Sequence, residues 1–162
     1  MSPAPSIQSE IDDFLSQGPI AGFVGGEELP SSSGDTFATQ DPGTGEKLAD
    51  IAACDKEDVD YAVKKARQAF EAGVWSRLHP SERKDIMIKW VKRLKRNRYE
   101  LAVLESIDSG KPVRDCATID LEETIRCLAW YAEAADKIYD KIAPTQDDAM
   151  GLIVREPVGV AA

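Results

Sequence analysis

Histidine and cysteine are scarce in this chain of 162 residues, which contains one histidine and three cysteines. His79 alone cannot supply a histidine-rich zinc site, and it leaves little material for a Ser-His-Asp triad. Cys54, Cys116 and Cys127 are too few and too scattered for a disulfide scaffold. They suit a reducing cytoplasm and the role of small buried hydrophobic residues. The composition therefore excludes most of the common catalytic chemistries.

Long apolar runs and targeting signals are also missing. No stretch approaches the roughly 18 to 20 apolar residues that a membrane-spanning helix needs, so we expect no membrane partner. Residues 1–10 have neither a basic region nor an apolar core, so we expect no secretory signal. Gly22, Gly25 and Gly26 do not form a GxGxxG or GxxxxGK[ST] motif, and they indicate turns rather than a phosphate site.

The composition that is present is that of an acidic globular protein. Hydrophobic residues make up 43% and charged residues 30%, and the net charge is −9. The net charge is −8 over residues 1–50, +3 over residues 51–110 and −4 over residues 111–162. Because the neutralisation of phosphates supplies most non-specific affinity for nucleic acid, we expect no nucleic-acid partner for so acidic a chain.

One segment departs from this acidic balance. Residues 89–98, KWVKRLKRNR, contain six basic residues in ten. Such a segment could bind an anionic partner as a helical interaction module. It could also be the solvated face of an amphipathic helix that turns Trp90, Val91 and Leu94 inward. The second interpretation is favoured, because the apolar period already explains the pattern.

The spacing of apolar residues and turn signals predicts an α/β fold. A short helix ends before Gly18-Pro19, and the turns at Gly25-Gly26 and at residues 41–45 indicate two β-hairpins. From Asp55, an N-cap with Asp58 three residues later, the apolar period becomes 3.6. It predicts four helices, over about 55–73, 80–96, 99–108 and 119–139. Residues 150–154 are predicted to form a strand.

The last five residues, 158–162, form a small apolar run without a turn signal. This pattern is typical of the start of a buried parallel strand. A buried parallel strand needs neighbours on both sides and a crossover helix to reach them. The sequence offers neither, so we expect the chain to be a segment of a longer protein.

An acidic group at the start of the fourth predicted helix is the main candidate for binding chemistry. Asp120 and Glu123 are three residues apart and project from one helix face, whereas Glu122 points elsewhere. Carboxylates in a first turn commonly complement the helix dipole, which is the simpler interpretation. Recognition of a cation is the alternative. No residue type or spacing in the chain indicates a catalytic site.

Taken in order, several segments resemble the aldehyde dehydrogenase superfamily. They are TFAT at 36–39, DPGTGE at 41–46, a helix from Asp55, Trp75-Ser76 followed by Arg83, LESIDSGKP at 104–112, WYA at 130–132 and REPVGV at 155–160. The resemblance covers about residues 20–162 and is greatest to bacterial γ-glutamyl-γ-aminobutyraldehyde and related ω-aminoaldehyde or guanidinobutyraldehyde dehydrogenases. Asp41 stands where many relatives have asparagine.

This resemblance implies the amino-terminal part of an enzyme that oxidises an aldehyde to a carboxylic acid with NAD or NADP. A cysteine thiolate attacks the carbonyl, hydride passes to the nicotinamide, and a glutamate activates the water that hydrolyses the thioester. In the family these groups and the dinucleotide site follow the part that this chain resembles. We therefore assign no catalytic and no cofactor-binding residue here, and we expect the chain alone to be inactive.

The resemblance also implies two sites. Ile119, Asp120, Glu123 and Cys127 match the mouth of the substrate tunnel, where ω-aminoaldehyde members bind the distal cation of the substrate with acidic residues matching Asp120 and Glu123. A monovalent cation, K⁺ or Na⁺, is implied at a second site, to which Thr39, Gln40 and Asp108 contribute.

The same resemblance implies three parts and an oligomer. Residues 1–140 correspond to the hairpin-and-helix part of the cofactor-binding domain, 141–157 to a bridging strand segment, and 158–162 to the start of the parallel dinucleotide-binding sheet. Strand pairing through residues 150–156 implies a homo-oligomer, a dimer or a tetramer. A non-catalytic helical module and an inactive split fragment of the same ancestry remain the alternatives.

Overall fold

A computed structural model describes residues 5–161 and contains helices and antiparallel hairpins, which confirms the predicted mixed architecture. One element is a π-helix of five residues, Cys116–Asp120, which we call the π turn. The elements in chain order are α1 (Pro5–Ser16), β1 (Gly22–Val24), β2 (Glu27–Leu29), β3 (Thr36–Gln40), β4 (Lys47–Ala52), α2 (Lys56–Ala72), α3 (Pro80–Arg96), α4 (Arg98–Ser109), α5 (Val113–Asp115), the π turn, α6 (Leu121–Ala134), β5 (Lys141–Ala143) and β6 (Gly151–Ile153).

The strands form three separate two-stranded antiparallel sheets, β1–β2, β3–β4 and β5–β6. Both predicted hairpins are confirmed. Gly25 and Gly26 turn β1 into β2 at positive φ angles of 65° and 93°, which glycine adopts without a steric penalty. Ile20 adds a short parallel bridge to Ile51, because its N–H donates to the Asp50 carbonyl across 2.7 Å.

Helix α2 begins with the capping box predicted from the sequence. The Asp55 carboxylate accepts the N–H groups of Glu57 and Asp58, and the Asp58 carboxylate accepts the N–H of Asp55. Asp58 is also buried, at 5% exposure, and the N–H of Ser32 donates to both of its oxygens at 3.2 Å. The serine-rich loop is therefore fixed to the start of α2.

Helix α3 begins at Pro80, as predicted, and the single histidine caps it. His79 Nδ1 accepts the Ser81 N–H at 3.3 Å, and the His79 N–H donates to Glu82 Oε2 at 2.8 Å. Proline suits the first helical position because the N–H that it lacks has no intrahelical partner there. His79 thus has a structural role.

Two helix contacts contribute buried residues to the core, and Ile11 of α1 and Ala49 of β4 are buried as well. Ala102 of α4 packs against Cys116 and Ala117 of the π turn, with Leu121 beside them. Helices α3 and α6 pack together, and Val91 and Ala132 are buried on these two helices.

The salt bridges of Lys84 support the contact between α3 and α6. Its ammonium lies 2.8 Å from Glu133 and 3.5 Å from Asp136. The hydrogen bond to Glu133 is the main cause that raises the pKa of Lys84, while burial opposes it. The same contact lowers the pKa of Glu133.

The fourth helix differs from the prediction of 119–139. Helical structure starts at Val113, directly after Pro112, and ends at Ala134. The prediction began too late because the π turn shifts the apolar period at its start. It ended too late because Ile138, expected to be buried, is 58% exposed beyond the helix.

The carboxyl-terminal strand is confirmed but short, and it has a partner that the sequence did not indicate. Strand β6 pairs with β5, and Ile142 lies opposite Leu152. Residues 154–161 form neither helix nor strand, and no parallel neighbour for them lies within residues 5–161. The parallel strand at 158–162 stays a prediction, and Ala162 lies outside the described residues. Within the described part, no helix is long and apolar enough to cross a membrane.

Candidate functional site

The four residues predicted for the tunnel mouth lie on the π turn and the following turns of α6. Ile119 is 55% exposed, and Glu123 and Cys127 are exposed one and two helical turns later. The Asp120 side chain is partly covered, at 29% exposure. These residues therefore lie on consecutive turns of helical backbone.

Asp120 forms an ion pair with a residue that the sequence did not select. The Lys111 ammonium lies 2.5 Å from Asp120 Oδ2 and donates a hydrogen bond to it. This hydrogen bond is the main cause that raises the pKa of Lys111, while burial opposes it. Lys111 precedes α5 by two residues, so only the fold around Pro112 brings it back to the end of the π turn.

Glu123 and Glu122 share an arginine on the outer side of α6. Arg126 lies 3.1 Å from Glu123 Oε1 and 3.3 Å from Glu122 Oε1. The Glu123 and Arg126 side chains are each 66% exposed, so this pair is solvated. An exposed pair of this kind contributes little to stability, and it can rearrange when a ligand arrives.

The predicted cation residues are brought together only in part. Thr39 of β3 and Asp108 of α4 line one cavity of 420 Å³ between α1, the β3–β4 hairpin and α4. Gln40 is exposed and is not among the lining residues. Glu105, one helical turn before Asp108, lines the same cavity and was missed by the sequence analysis. Its i, i+3 spacing to Asp108 was the signal that could have found it.

The three cysteines are free. The prediction that they are buried is right for Cys116, to which the fold gives a structural role, and wrong for Cys54 and Cys127, which are exposed. Cys116 is fully buried, and burial is the main cause that raises the pKa of its thiol. A thiol with a raised pKa is a poor nucleophile, because the thiolate is the reactive form. Within residues 5–161, no three His, Cys, Asp or Glu side chains are grouped so that they could hold a metal ion.

The described residues do not fit a dinucleotide. Such cofactors bind where parallel strands lead into helix N-termini, whereas all three sheets within residues 5–161 are antiparallel hairpins.

The second cavity, of 610 Å³, lies between the end of α2 and residues 155–159. Arg83, Arg155 and Glu156 line it together with apolar side chains such as Trp75.

The basic segment 89–98 forms the amphipathic carboxyl-terminal part of α3 and reaches the first residue of α4. Val91 is buried at 4% exposure and Leu94 is half-buried, while the lysines are exposed. Trp90, expected to point inward, is 52% exposed. Arg98 donates to the Ala117 carbonyl, so it does not belong to the solvated face.

A model of the aldehyde dehydrogenase family matches residues 29–162. The chain is 49% identical to the aminoacetaldehyde dehydrogenase of Pseudomonas aeruginosa over 142 residues, 88% of this chain and 29% of that protein. The chain thus spans less than a third of that relative.

Solved structures give the same result. The γ-glutamyl-γ-aminobutyraldehyde dehydrogenase of Burkholderia cenocepacia superposes with a TM-score of 0.87 at 37% identity, over 95% of this chain and 31% of that one. The indole-3-acetaldehyde dehydrogenase AldA of P. syringae, solved as a C302A mutant with NAD⁺ and IAA, superposes with a TM-score of 0.82 at 42% identity, over 94% of this chain and 31% of that one. The chain belongs to the aldehyde dehydrogenase family.

Proposed function

We propose that this chain forms the amino-terminal part of an NAD(P)-dependent aldehyde dehydrogenase, which oxidises an aldehyde to the carboxylic acid. Family membership and the match to the aminoacetaldehyde dehydrogenase support the proposal. We place the nucleophilic cysteine, the glutamate that activates water, and the cofactor contacts outside this chain. The chain alone is then inactive, because none of its cysteines is assigned the attack on the carbonyl.

In the proposed reaction a cysteine thiolate adds to the aldehyde to give a thiohemiacetal. Loss of a hydride converts the thiohemiacetal to a thioester, and water hydrolyses the thioester to the carboxylic acid and the free thiol. NAD or NADP supplies the acceptor for the hydride when it is bound. The contribution of this chain is to hold the far end of the substrate at the tunnel mouth. Binding at a distance from the reacting carbonyl orients the substrate and so favours the chemical step.

The proposed substrate carries a distal cation, as in ω-amino, guanidino or γ-glutamylamino aldehydes. The observation that carries this proposal is the Asp120 carboxylate, 29% exposed at the end of the π turn, with Glu123 one turn further on. A carboxylate and an ammonium attract each other more strongly where water is partly excluded than in bulk solvent. A neutral aldehyde gains nothing from either carboxylate.

The test compares 3-aminopropanal with butanal, which has the same length and a methyl group in place of the ammonium. In the complete enzyme, Asp120→Asn and Glu123→Gln are expected to raise the KM for 3-aminopropanal and to leave the KM for butanal unchanged. Glu122→Gln is the matched control, since Glu122 lies between Arg98 and Arg126, whereas the ion pair of Glu123 is with Arg126. Unchanged discrimination in both variants would contradict the proposed substrate class.

We also propose that K⁺ or Na⁺ binds near Thr39, Gln40 and Asp108. The cavity that Thr39 and Asp108 share, with Glu105 beside them, supports this proposal. A cation bound only by the folded chain raises its melting temperature by mass action. We expect KCl to raise the melting temperature more than choline chloride of equal ionic strength, and Asp108→Asn to remove this difference. Asp13→Asn, an exposed change on α1, should retain it; the same K⁺ effect in both variants would contradict the site.

We further propose a homo-oligomer paired through residues 150–156, and a cytoplasmic location. The exposed apolar side chains of the β5–β6 hairpin support the first proposal. The three free cysteines, of which Cys54 and Cys127 are exposed, support the second, because exposed thiols persist in a reducing compartment.

A further inference from the structure

The carboxylate proposed to bind the distal cation of the substrate already has a cation of the protein against it. The Lys111 ammonium lies 2.5 Å from Asp120 Oδ2, with side-chain exposures of 46% and 29%. Among the side chains of the described residues, Lys111 donates the hydrogen bond that the Asp120 carboxylate accepts. No hydrogen bond or salt bridge within residues 5–161 involves the other carboxylate oxygen, Oδ1.

Two hydrogen bonds fix the main chain of Lys111 in a position from which its ammonium contacts Asp120. Ser106 Oγ donates to the Lys111 carbonyl at 2.6 Å, and Ser109 Oγ accepts the Lys111 N–H at 3.3 Å. Gly110 turns the chain into this position at a φ of 73°. A lysine held at its base loses less conformational freedom when it forms the ion pair.

The pair persists at neutral pH. Its hydrogen bond to Asp120 raises the pKa of Lys111 above the ordinary value of 10.5. The ammonium is therefore protonated at neutral pH. An incoming ammonium group encounters a carboxylate that is already partly neutralised.

We propose that Lys111 is a specificity-determining residue, an internal competitor with which a cationic substrate shares the Asp120 carboxylate. This inference rests on the proposed function, because it presupposes that Asp120 receives the distal cation. Lys111 lowers the affinity for cationic aldehydes and leaves neutral aldehydes unaffected. The enzyme thereby keeps a moderate preference for cationic aldehydes and releases its charged substrate readily.

Lys111→Met in the complete enzyme removes the competing charge and retains most of the length of the side chain. The KM for 3-aminopropanal is expected to fall about two- to fivefold, which is the range that exposed ion pairs contribute. The KM for butanal and both kcat values should stay unchanged. Lys111→Arg retains a cation against Asp120, so it should keep the wild-type ratio of the two KM values.

A double-mutant cycle separates this inference from the proposed function. In the Asp120→Asn background, Lys111→Met should leave the ratio of the two KM values unchanged, because its effect acts through Asp120. If Asp120→Asn alone leaves the ratio at the wild-type value, the proposed function fails. If Asp120→Asn lowers the preference for 3-aminopropanal while Lys111→Met fails to raise it, the proposed function stands and the role of Lys111 is wrong. Lys111→Gln is the second variant should the methionine prevent folding, and it must shift the ratio in the same direction.

Discussion

Arg98 donates a hydrogen bond from Nη2 to the carbonyl oxygen of Ala117 across 2.8 Å, and so joins the first residue of α4 to the π turn. Ala117 is 7% exposed, so water cannot easily replace the arginine. A π turn leaves the regular i to i+4 ladder, and such turns recur at functional sites. Arg98 therefore stabilises the backbone that presents Asp120.

Arg98→Met is expected to lower the free energy of unfolding by about 1–3 kcal/mol, since a buried carbonyl loses a charged donor. Urea denaturation followed by circular dichroism measures this change. Arg96→Met is the matched control, because Arg96 is exposed near the end of α3, and its effect should stay within about 0.5 kcal/mol. Equal effects of the two substitutions would show that the contact with Ala117 contributes nothing.

Gly110 ends α4 and turns the chain toward Lys111, at a φ of 73°. A Cβ atom at this position would lie 2.9 Å from Pro42 Cγ, in the turn between β3 and β4. Gly110→Ala is expected to cost about 1–2 kcal/mol for the left-handed backbone, and more for the close contact. Thermal unfolding measures the loss as a lower melting temperature.

Gly34→Ala separates the two causes. Gly34 has a similar φ of 77°, and a Cβ there would meet nothing within 4 Å. Its loss should therefore equal the backbone strain alone and be smaller than that of Gly110→Ala. If the two losses are equal, the contact between Gly110 and Pro42 does not constrain the fold.

Asp58 predicts an acid dependence of stability. The N–H of Asp55 is the main cause that lowers the pKa of Asp58 below 3.8; burial opposes this, and the N–H of Ser32 lowers it further. A pKa that is lower in the folded chain contributes stability that is present above the unfolded value, roughly 4, and is lost as the pH falls through the folded pKa. Asp58→Asn should destabilise the chain at pH 7, and its deficit should narrow below about pH 4.

Asp60→Asn is the control for this measurement. Asp60 lies on the same helix in an exposed salt bridge with Lys56, at 66% and 88% side-chain exposure. Such a pair contributes little, so urea denaturation at pH 7, 4 and 3 should show a small difference from the wild type. If the deficit of Asp58→Asn is the same at all three pH values, the carboxylate of Asp58 does not carry the effect.

The features that the sequence predicted are those that local residues determine. The capping box of α2 needs only Asp55 and Asp58, and the start of α3 needs only Pro80 after its cap. The hairpin turn at Gly25-Gly26 follows from the φ freedom of glycine. Each of these depends on side chains within a few residues of one another, so the pattern and the structure agree.

The features that the sequence missed depend on contacts between distant segments or on a change of helical period. The π turn changes the spacing that reveals a helix, and the helix around Cys116 was therefore predicted to start too late. The Lys111–Asp120 pair forms because Lys111 lies in the loop between α4 and α5, which the fold places beside the end of the π turn. Strand β5 was missed because three residues, Lys141–Ala143, carry too little pattern until Gly151–Ile153 pairs with them.

The β5–β6 hairpin provides the last prediction. Ile142 and Leu152 lie opposite each other and are 72% and 63% exposed. An isolated two-stranded hairpin is only marginally stable in water, and its open edges favour pairing with another strand. In the complete enzyme, Leu152→Lys should therefore reduce the oligomer mass measured by light scattering. Phe23→Lys, which likewise replaces an exposed apolar side chain with a lysine, lies on β1 at a residue 75% exposed and should leave the mass unchanged. An unchanged mass for Leu152→Lys would exclude this hairpin from the subunit interface.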